Sequence, residues 1–185
     1  MKKIILILII LCLTGCSINK APKSPHNLLL SIKNYSCEMQ ISFSSNKNSN
    51  EYLAKQSYSS NGIYSMEFLD SENLKIDYGN SNLTIKSSIV NIPIELSNYK
   101  ELNKNPLFLS YFINTYFNLE NTNYIKSTDT EIELILPNNN DYLYSAKLSF
   151  QNNKPYSLTY FDKNGNAKVN IIYNEFTSIA WCKTL

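Results

Sequence analysis

Between Tyr35 and Phe43 the chain reads Tyr-Ser-Cys-Glu-Met-Gln-Ile-Ser-Phe, apolar at every odd position and polar at every even one. That period of two predicts a strand with one buried face. The pattern returns at Tyr64-Met66-Phe68, Leu74-Ile76-Tyr78, Leu83-Ile85, Ile132-Leu134-Leu136, from Tyr142 through Phe150, at Tyr156-Leu158-Tyr160 and from Ala167 through Tyr173. Residues 50–60 carry a weaker, more polar version through Tyr52, Ala54, Gln56 and Tyr58. About nine strands are predicted. The punctuation between them is short: Asn61-Gly62 and Asn164-Gly165 suit two-residue primed turns, while Gly79-Asn80-Ser81 and Pro137-Asn138-Asn139-Asn140 suit slightly longer ones. Short connections favour sequential antiparallel pairing, a meander.

Two stretches switch to helical spacing. Ser24 as N-cap and Pro25 at the first helical position open a brief helix through Leu28, Leu29, Leu30 and Ile32, ending near Asn34. His26 falls in its first turn and reads as a solvated surface residue. The second stretch, 106–119, has Asn105 as a cap, Pro106 in the first turn, and Phe108, Leu109, Phe112, Ile113 and Tyr116 at helical spacing. It is too apolar to be solvated on more than a narrow face. Such a helix either plugs the concave side of a curved sheet as part of the core or forms a lid over an apolar cavity.

The amino terminus changes where this domain works. A basic head, Met1-Lys2-Lys3, precedes an unbroken apolar run from Ile4 to Leu13. That run is too short to span a hydrocarbon core of ~30 Å and reads as a secretory signal. Leu13-Thr14-Gly15-Cys16 has the form of a bacterial lipobox, with cleavage between Gly15 and Cys16 and lipid attachment at Cys16. Two acyl chains there meet the requirement for stable anchoring. The expected organisation is a lipoprotein signal peptide at 1–15, a lipidated tether at 16–24 and one domain at 25–185.

Charge and cysteine content shift once the signal is removed. The 185-residue chain carries 17 lysines, 15 carboxylates and no arginine, a net charge of +2. Without Lys2 and Lys3 the mature chain is neutral, so a basic nucleic-acid surface is not expected. Of four cysteines, Cys12 leaves with the signal and Cys16 is acylated, which leaves Cys37 and Cys182. Two readings of this pair stand. A disulfide is permitted outside the cytoplasm and, closing a loop of roughly 145 residues, is worth about 5 kcal/mol on the loop-entropy model. Alternatively, Cys37 serves as a small core residue on its strand.

Candidate chemistry is sparse. Without arginine, bidentate phosphate clamps and arginine fingers have no residue to form them, and His26 is the single histidine. No HExxH, GxSxG, Walker or CxxC motif occurs. Glu38, Glu67, Asp77, Glu131 and Glu133 fall on or beside polar strand faces, where charge serves solubility and edge protection. Glu131 and Glu133 would lie about 7 Å apart, close to glycosidase spacing, but with no predicted cleft. No catalytic residue, metal ligand or cofactor is expected.

A short amphipathic helix, a long alternating strand, hairpin strands, a mid-chain apolar helix and a second set of strands together resemble the LolA/LolB-like lipoprotein-localisation fold. The likeness is carried by Ile32 through Ser36, Tyr58 through Glu67 and Ala146 through Tyr173, and covers about residues 25–178. It implies a mainly β (α+β) domain: an unclosed, strongly curved antiparallel sheet, a half-barrel, with helices across its concave side. Within that superfamily the lipobox, size and Asn- and Lys-rich composition look most like the clostridial germination lipoproteins of the GerS type. That resemblance implies a membrane-anchored, non-catalytic lipoprotein that binds and supports a spore-cortex N-acetylmuramoyl-L-alanine amidase of the CwlD kind during sporulation, as later germination requires. It would sit on the extracytoplasmic face of the membranes around the forming cortex. The alternative implied is an apolar-ligand or acyl-chain binder of the LolA/LolB type. The arginine that helps close the LolA cavity has no counterpart in this chain. An open sheet also leaves strand edges free, so a homodimer stays open. No residue is assigned to partner binding, because an interface patch and a surface strand look alike in sequence.

Overall fold

The structure, a computed structural model, describes residues 24–45, 47–70, 74–89, 92–98, 105–119, 125–137 and 140–178. Helix α1 (Pro25–Ser31) leads into β1 (Tyr35–Ser44), β2 (Ser49–Ser59), β3 (Ile63–Phe68), β4 (Lys75–Gly79), β5 (Asn82–Lys86) and β6 (Ile94–Ser97). Helix α2 (Leu109–Asn118) interrupts the strands, and β7 (Ile125–Ser127), β8 (Glu131–Ile135), β9 (Ser145–Gln151), β10 (Lys154–Phe161) and β11 (Ala167–Ser178) follow. All eleven strands join one antiparallel sheet in the order β6-β5-β4-β3-β2-β1-β11-β10-β9-β8-β7. It is unclosed, with β6 and β7 as its two edges, and mainly β, as expected.

Each half is the predicted meander, but the halves meet through the first and last strands. Met39 lies opposite Tyr173 and Ile41 opposite Ile171, so β1 and β11 form the centre of the sheet. β6 and β7 go beyond the nine predicted strands. The strand expected from Tyr142 starts instead at Ser145. The Asn140 side-chain carbonyl accepts from the amides of Tyr142 and Leu143 at 2.8 Å, making a turn that holds Tyr142 out of the ladder.

Two bulges re-aim side chains. On β11 one extra residue lies between the partners of Ser36 and Glu38, and Glu175 there takes φ 49°. The bulge shifts the inward phase by one, so that Phe176 is buried and stacks on Tyr35 with ring centroids 5.5 Å apart. On β10 the register slips between Pro155 and Ser157, which turns Tyr156 outward although its alternation predicts an inward residue.

The turns exchange their expected types. Asn80-Ser81 and Asn152-Asn153 are the two-residue loops, all four residues at positive φ as a type I′ turn requires. Gly62, at φ 83°, closes a three-residue loop, and Gly165, at φ 81°, a five-residue loop. Asparagine tolerates the left-handed region well enough to take the tighter turns.

Both helices pack on the core face. The Ser24 hydroxyl accepts from the Asn27 amide and Pro25 occupies the first turn of α1, as expected. His26 is not simply solvated: its Nδ1 shares a 2.9 Å hydrogen bond with the Tyr116 hydroxyl, and its ring meets Phe117 edge-on, which ties α1 to α2. Asn105 does not cap α2, which begins three residues later than its cap-and-proline motif suggests. Its side chain instead accepts from Leu107 in a preceding turn.

Candidate functional site

Cross-strand partners share a face of the sheet, and the register lays two rows of side chains along the inner face. One runs Tyr35, Tyr58, Tyr64, Tyr78, Leu83, Leu96; the other runs Cys37, Gln56, Met66, Ile76, Ile85, Ile94. In the first row neighbouring tyrosine rings lie 4.8–5.7 Å apart. Over the middle of these rows sits α2, whose Leu109 and Phe112, with Phe108 before them, are fully buried. The helix is therefore the plug, filling the concave side rather than covering a void.

The plug is held by a polar clamp inside the apolar face. Phe108, at the N-cap of α2, offers no side-chain cap. Gln56 of β2 and Tyr35 of β1 supply one instead. The Gln56 carbonyl accepts from the Leu109 amide at 3.4 Å, the Tyr35 hydroxyl oxygen accepts from the Ser110 amide at 3.4 Å, and the Gln56 amide donates to the Leu107 carbonyl at 3.0 Å. The Tyr35 hydroxyl donates to the Gln56 carbonyl at 2.6 Å. Orphan helix amides are thus satisfied by the sheet. Burial pushes the Tyr35 hydroxyl well above its ordinary pKa, and does the same for Tyr160 and Tyr173, so all stay neutral donors at neutral pH. Unlike Tyr35, the buried hydroxyls of Tyr160 and Tyr173 have no hydrogen-bond partner among the described residues.

At the β6 edge the plug gives out. Leu83 is 5% exposed, whereas its partner Leu96 is 44% exposed, Ile94 55% and Ile92 76%. Leu96 and Ile94 continue the core face of the sheet into solvent, with Ile92 just before the strand, and the outer edge of β6 pairs with nothing among the described residues. An exposed apolar edge strand offers both unpaired backbone groups and a hydrophobic face. Sequence reasoning missed this surface. Ile92, Ile94 and Leu96 alternate, and Pro93 beside them is the mark of an edge strand.

The outer face is polar. Glu38, Lys55, Glu67 and Lys75 face one another across β1 to β4, with Lys55 3.0 Å from Glu38 and Lys75 3.4 Å from Asp77. They line a shallow depression of about 400 Å³. Glu131 pairs with Lys147 at 3.8 Å, and Glu133 lies opposite both Lys147 and Lys126. Glu38, Glu67, Glu131 and Glu133 are therefore cross-strand charge partners, while Asp77 pairs with Lys75 along its own strand. Among the described residues no cluster of three or more histidine, cysteine, aspartate or glutamate side chains could hold a metal, and no helix is long and apolar enough to cross a membrane.

Of the residues singled out from sequence, Gly15, Cys16 and Cys182 lie outside the described residues. Cys37 is buried on β1 as a free thiol, and burial pushes its pKa up to about 12. It has the environment of a core residue.

Comparison with known proteins places this arrangement. The model of the family described as "Sporulation protein YdcC-like" matches residues 1–181. No curated protein matches the chain. Among solved structures, a conserved protein of Thermus thermophilus is 10% identical, with a TM-score of 0.54 over 86% of this chain and 90% of its own. A chain of the complex between the CwlD amidase and the GerS lipoprotein of Clostridioides difficile is 21% identical, with a TM-score of 0.50 over 86% of this chain and 99% of its own. A LolA superfamily protein of Nitrosomonas europaea is 12% identical, with a TM-score of 0.39 over 86% and 95%. The fold resembles that of a chain of the CwlD–GerS complex.

Proposed function

The chain belongs to the YdcC-like sporulation protein family, and from that premise we propose that it is a membrane-tethered, non-catalytic lipoprotein that docks a cell-wall amidase during sporulation. The observation that carries this reading is the β6 edge, where Ile94 and Leu96 extend the core face into solvent beside the exposed Ile92 that precedes the strand. The likeness to a chain of an amidase–lipoprotein complex supports an N-acetylmuramoyl-L-alanine amidase of the CwlD kind as the partner. Lipidation at Cys16 would hold the domain on the extracytoplasmic face of the membranes around the forming cortex, where that enzyme's substrate lies.

The test is binding of the full chain in detergent to such an amidase, measured beside Ile94→Lys and Leu96→Lys. Both side chains are substantially exposed, so stability should stay within about 0.5 kcal/mol of the parent. Affinity should fall at least about tenfold, through a desolvated charge at the centre of the contact. Absence of any complex would overturn the reading, and undiminished binding by both variants would move the interface elsewhere. If the same substitutions abolish self-association instead, the edge serves a homodimer.

A second reading, an apolar-ligand or acyl-chain binder, is favoured by the Tyr160 and Tyr173 hydroxyls, which have no hydrogen-bond partner among the described residues and could bond a ligand's polar head within the interior. Mass spectrometry of organic extracts of the purified chain tests it. A stoichiometric lipid would support it, and none would end it.

A further inference from the structure

At the end of the sheet where the β1–β2 and β10–β11 turns meet, an open pocket of about 630 Å³ is lined by Tyr142, Lys168, Asn48, Asn164 and Asn166, among others. We propose that this pocket binds a glycan, a strand of N-acetylated amino sugars, with Tyr142 as its stacking platform.

The first reason is the aromatic ring. Tyr142 is 60% exposed, yet its position is built. Asn140 fixes its backbone amide, and the Lys168 ammonium lies 5.5 Å from its ring centroid. Lys168 is itself buried and held 3.1 Å from Asp162. A large apolar surface fixed in solvent by a buried cation is a costly way to place a tyrosine that does nothing.

The second reason is the loop beside it. The Asp162 carboxylate accepts from the backbone amides of Asn164 and Asn166 at 2.9 and 2.8 Å, and from the Asn166 side-chain amide. The Asn166 side-chain bond, together with the two amides and Lys168, holds that carboxyl down to about 2. The acid is consumed in shaping the turn, which leaves the pocket pre-organised. The rim amides of Asn48 and Asn164 match the hydroxyls and acetamido groups of a sugar.

Charge selects the class of ligand. Of the charged residues that line the pocket, Lys47 and Lys168 stand against Asp141 and Asp162, so the lining carries no net charge, and Lys168 is paired with Asp162 directly. A site balanced in this way is poorly suited to phosphate or nucleic acid, which need uncompensated cations. It suits an uncharged ligand that combines apolar C–H faces with dense hydrogen-bonding groups. The volume lies within the usual range for small-ligand sites. The pocket borders β2, four strands along the sheet from β6, so it can be occupied while the edge is docked.

The experiment is titration of the full chain in detergent micelles with tetra-N-acetylchitotetraose, followed by ligand-observed NMR, beside Tyr142→Ala, Tyr142→Phe and Leu96→Lys. The parent should bind saturably. Tyr142→Ala should weaken binding at least about tenfold, while Tyr142→Phe, which keeps the stacking face, and Leu96→Lys should stay within about threefold. No saturable binding by the parent, or equal binding by Tyr142→Ala, would overturn the proposal. Tighter binding of cellotetraose would overturn the assignment to N-acetylated sugars.

Discussion

Replacing Gln56 by leucine tests whether the plugging helix is held by its cross-element cap. The substitution conserves volume and apolar packing but removes every polar contact of the side chain. The Leu109 amide and the Tyr35 hydroxyl, both buried, would lose the carbonyl they donate to, and the Leu107 carbonyl would lose its donor. Leaving a buried polar group unsatisfied costs about 1–3 kcal/mol. Two such groups, less about 1 kcal/mol recovered from the added apolar burial, give a net loss of about 3 kcal/mol. For a domain of this size that lowers Tm by about 6–12 °C. Tyr35→Phe removes one donor and one weak acceptor and should cost about 1–2 kcal/mol. The decisive measurement is the double variant in urea unfolding followed by far-UV circular dichroism. With Gln56→Leu already present, Tyr35→Phe removes a donor that has no acceptor, so its own cost should vanish or reverse. The coupling should therefore reach at least about 1 kcal/mol. A Gln56→Leu cost below about 1 kcal/mol, or additivity within about 0.5 kcal/mol, would refute the clamp.

Other outcomes follow from the same buried groups and from the proposed lipid anchor. Tyr35, Tyr160 and Tyr173 have hydroxyl pKa values raised by burial and Cys37 is pushed up to about 12, so between the unfolded and folded values the unfolded state binds fewer protons. The urea midpoint should hold from pH 7 to about 9 and then fall steeply towards pH 12; a flat profile up to pH 11 would contradict these burials. Tyr160→Phe and Tyr173→Phe each delete a buried hydroxyl without a partner among the described residues, and each should raise stability by about 1 kcal/mol in urea unfolding; a loss of that size would show that the hydroxyl is satisfied. Cys16→Ser should abolish incorporation of labelled palmitate and release the domain from the membrane fraction, and continued labelling would exclude Cys16 as the lipid site.

The parts of this fold that were legible in the sequence are those where one face is buried and the other is not. β1 is read to within a residue because Tyr35, Cys37, Met39 and Ile41 are buried between half-exposed polar neighbours. β6 alternates too, at Ile94-Glu95-Leu96-Ser97, but the run is only four residues long, it follows Pro93, and all four residues are exposed, so the pattern is easily passed over. β7 has only three residues. The outward turn of Tyr142 and the bulge at Tyr156 were hidden for a different reason: local hydrogen bonding and a proline override an alternation that continues through both. The β1–β11 pairing joins the two ends of the domain, and no short-range pattern reports it. Gln56 shows the limit most clearly. In sequence it is one polar residue on a weak strand; it becomes the helix cap only because β2 lies under Leu109.

The energetics of the plug bear on which of the two proposed activities the fold can support. Admitting an acyl chain to the concave side would require α2 to leave it, exposing Phe108, Leu109 and Phe112. Burial of each such side chain is worth about 1.5–3 kcal/mol, so displacement costs roughly 5–9 kcal/mol before the Gln56 and Tyr35 cap is counted. That is comparable with the whole stability of an ordinary domain, about 5–15 kcal/mol. At about 0.8 kcal/mol per buried methylene, a chain of ten carbons would barely offset it, and only the long chains of membrane lipids would leave a surplus. Docking at β6 carries no such penalty, because Ile92, Ile94 and Leu96 already stand in solvent. The two activities therefore differ in what happens to α2. A lipid carrier must lose amide-exchange protection in residues 109–118 when it loads, whereas a docking module must keep that protection and gain more along residues 92–97.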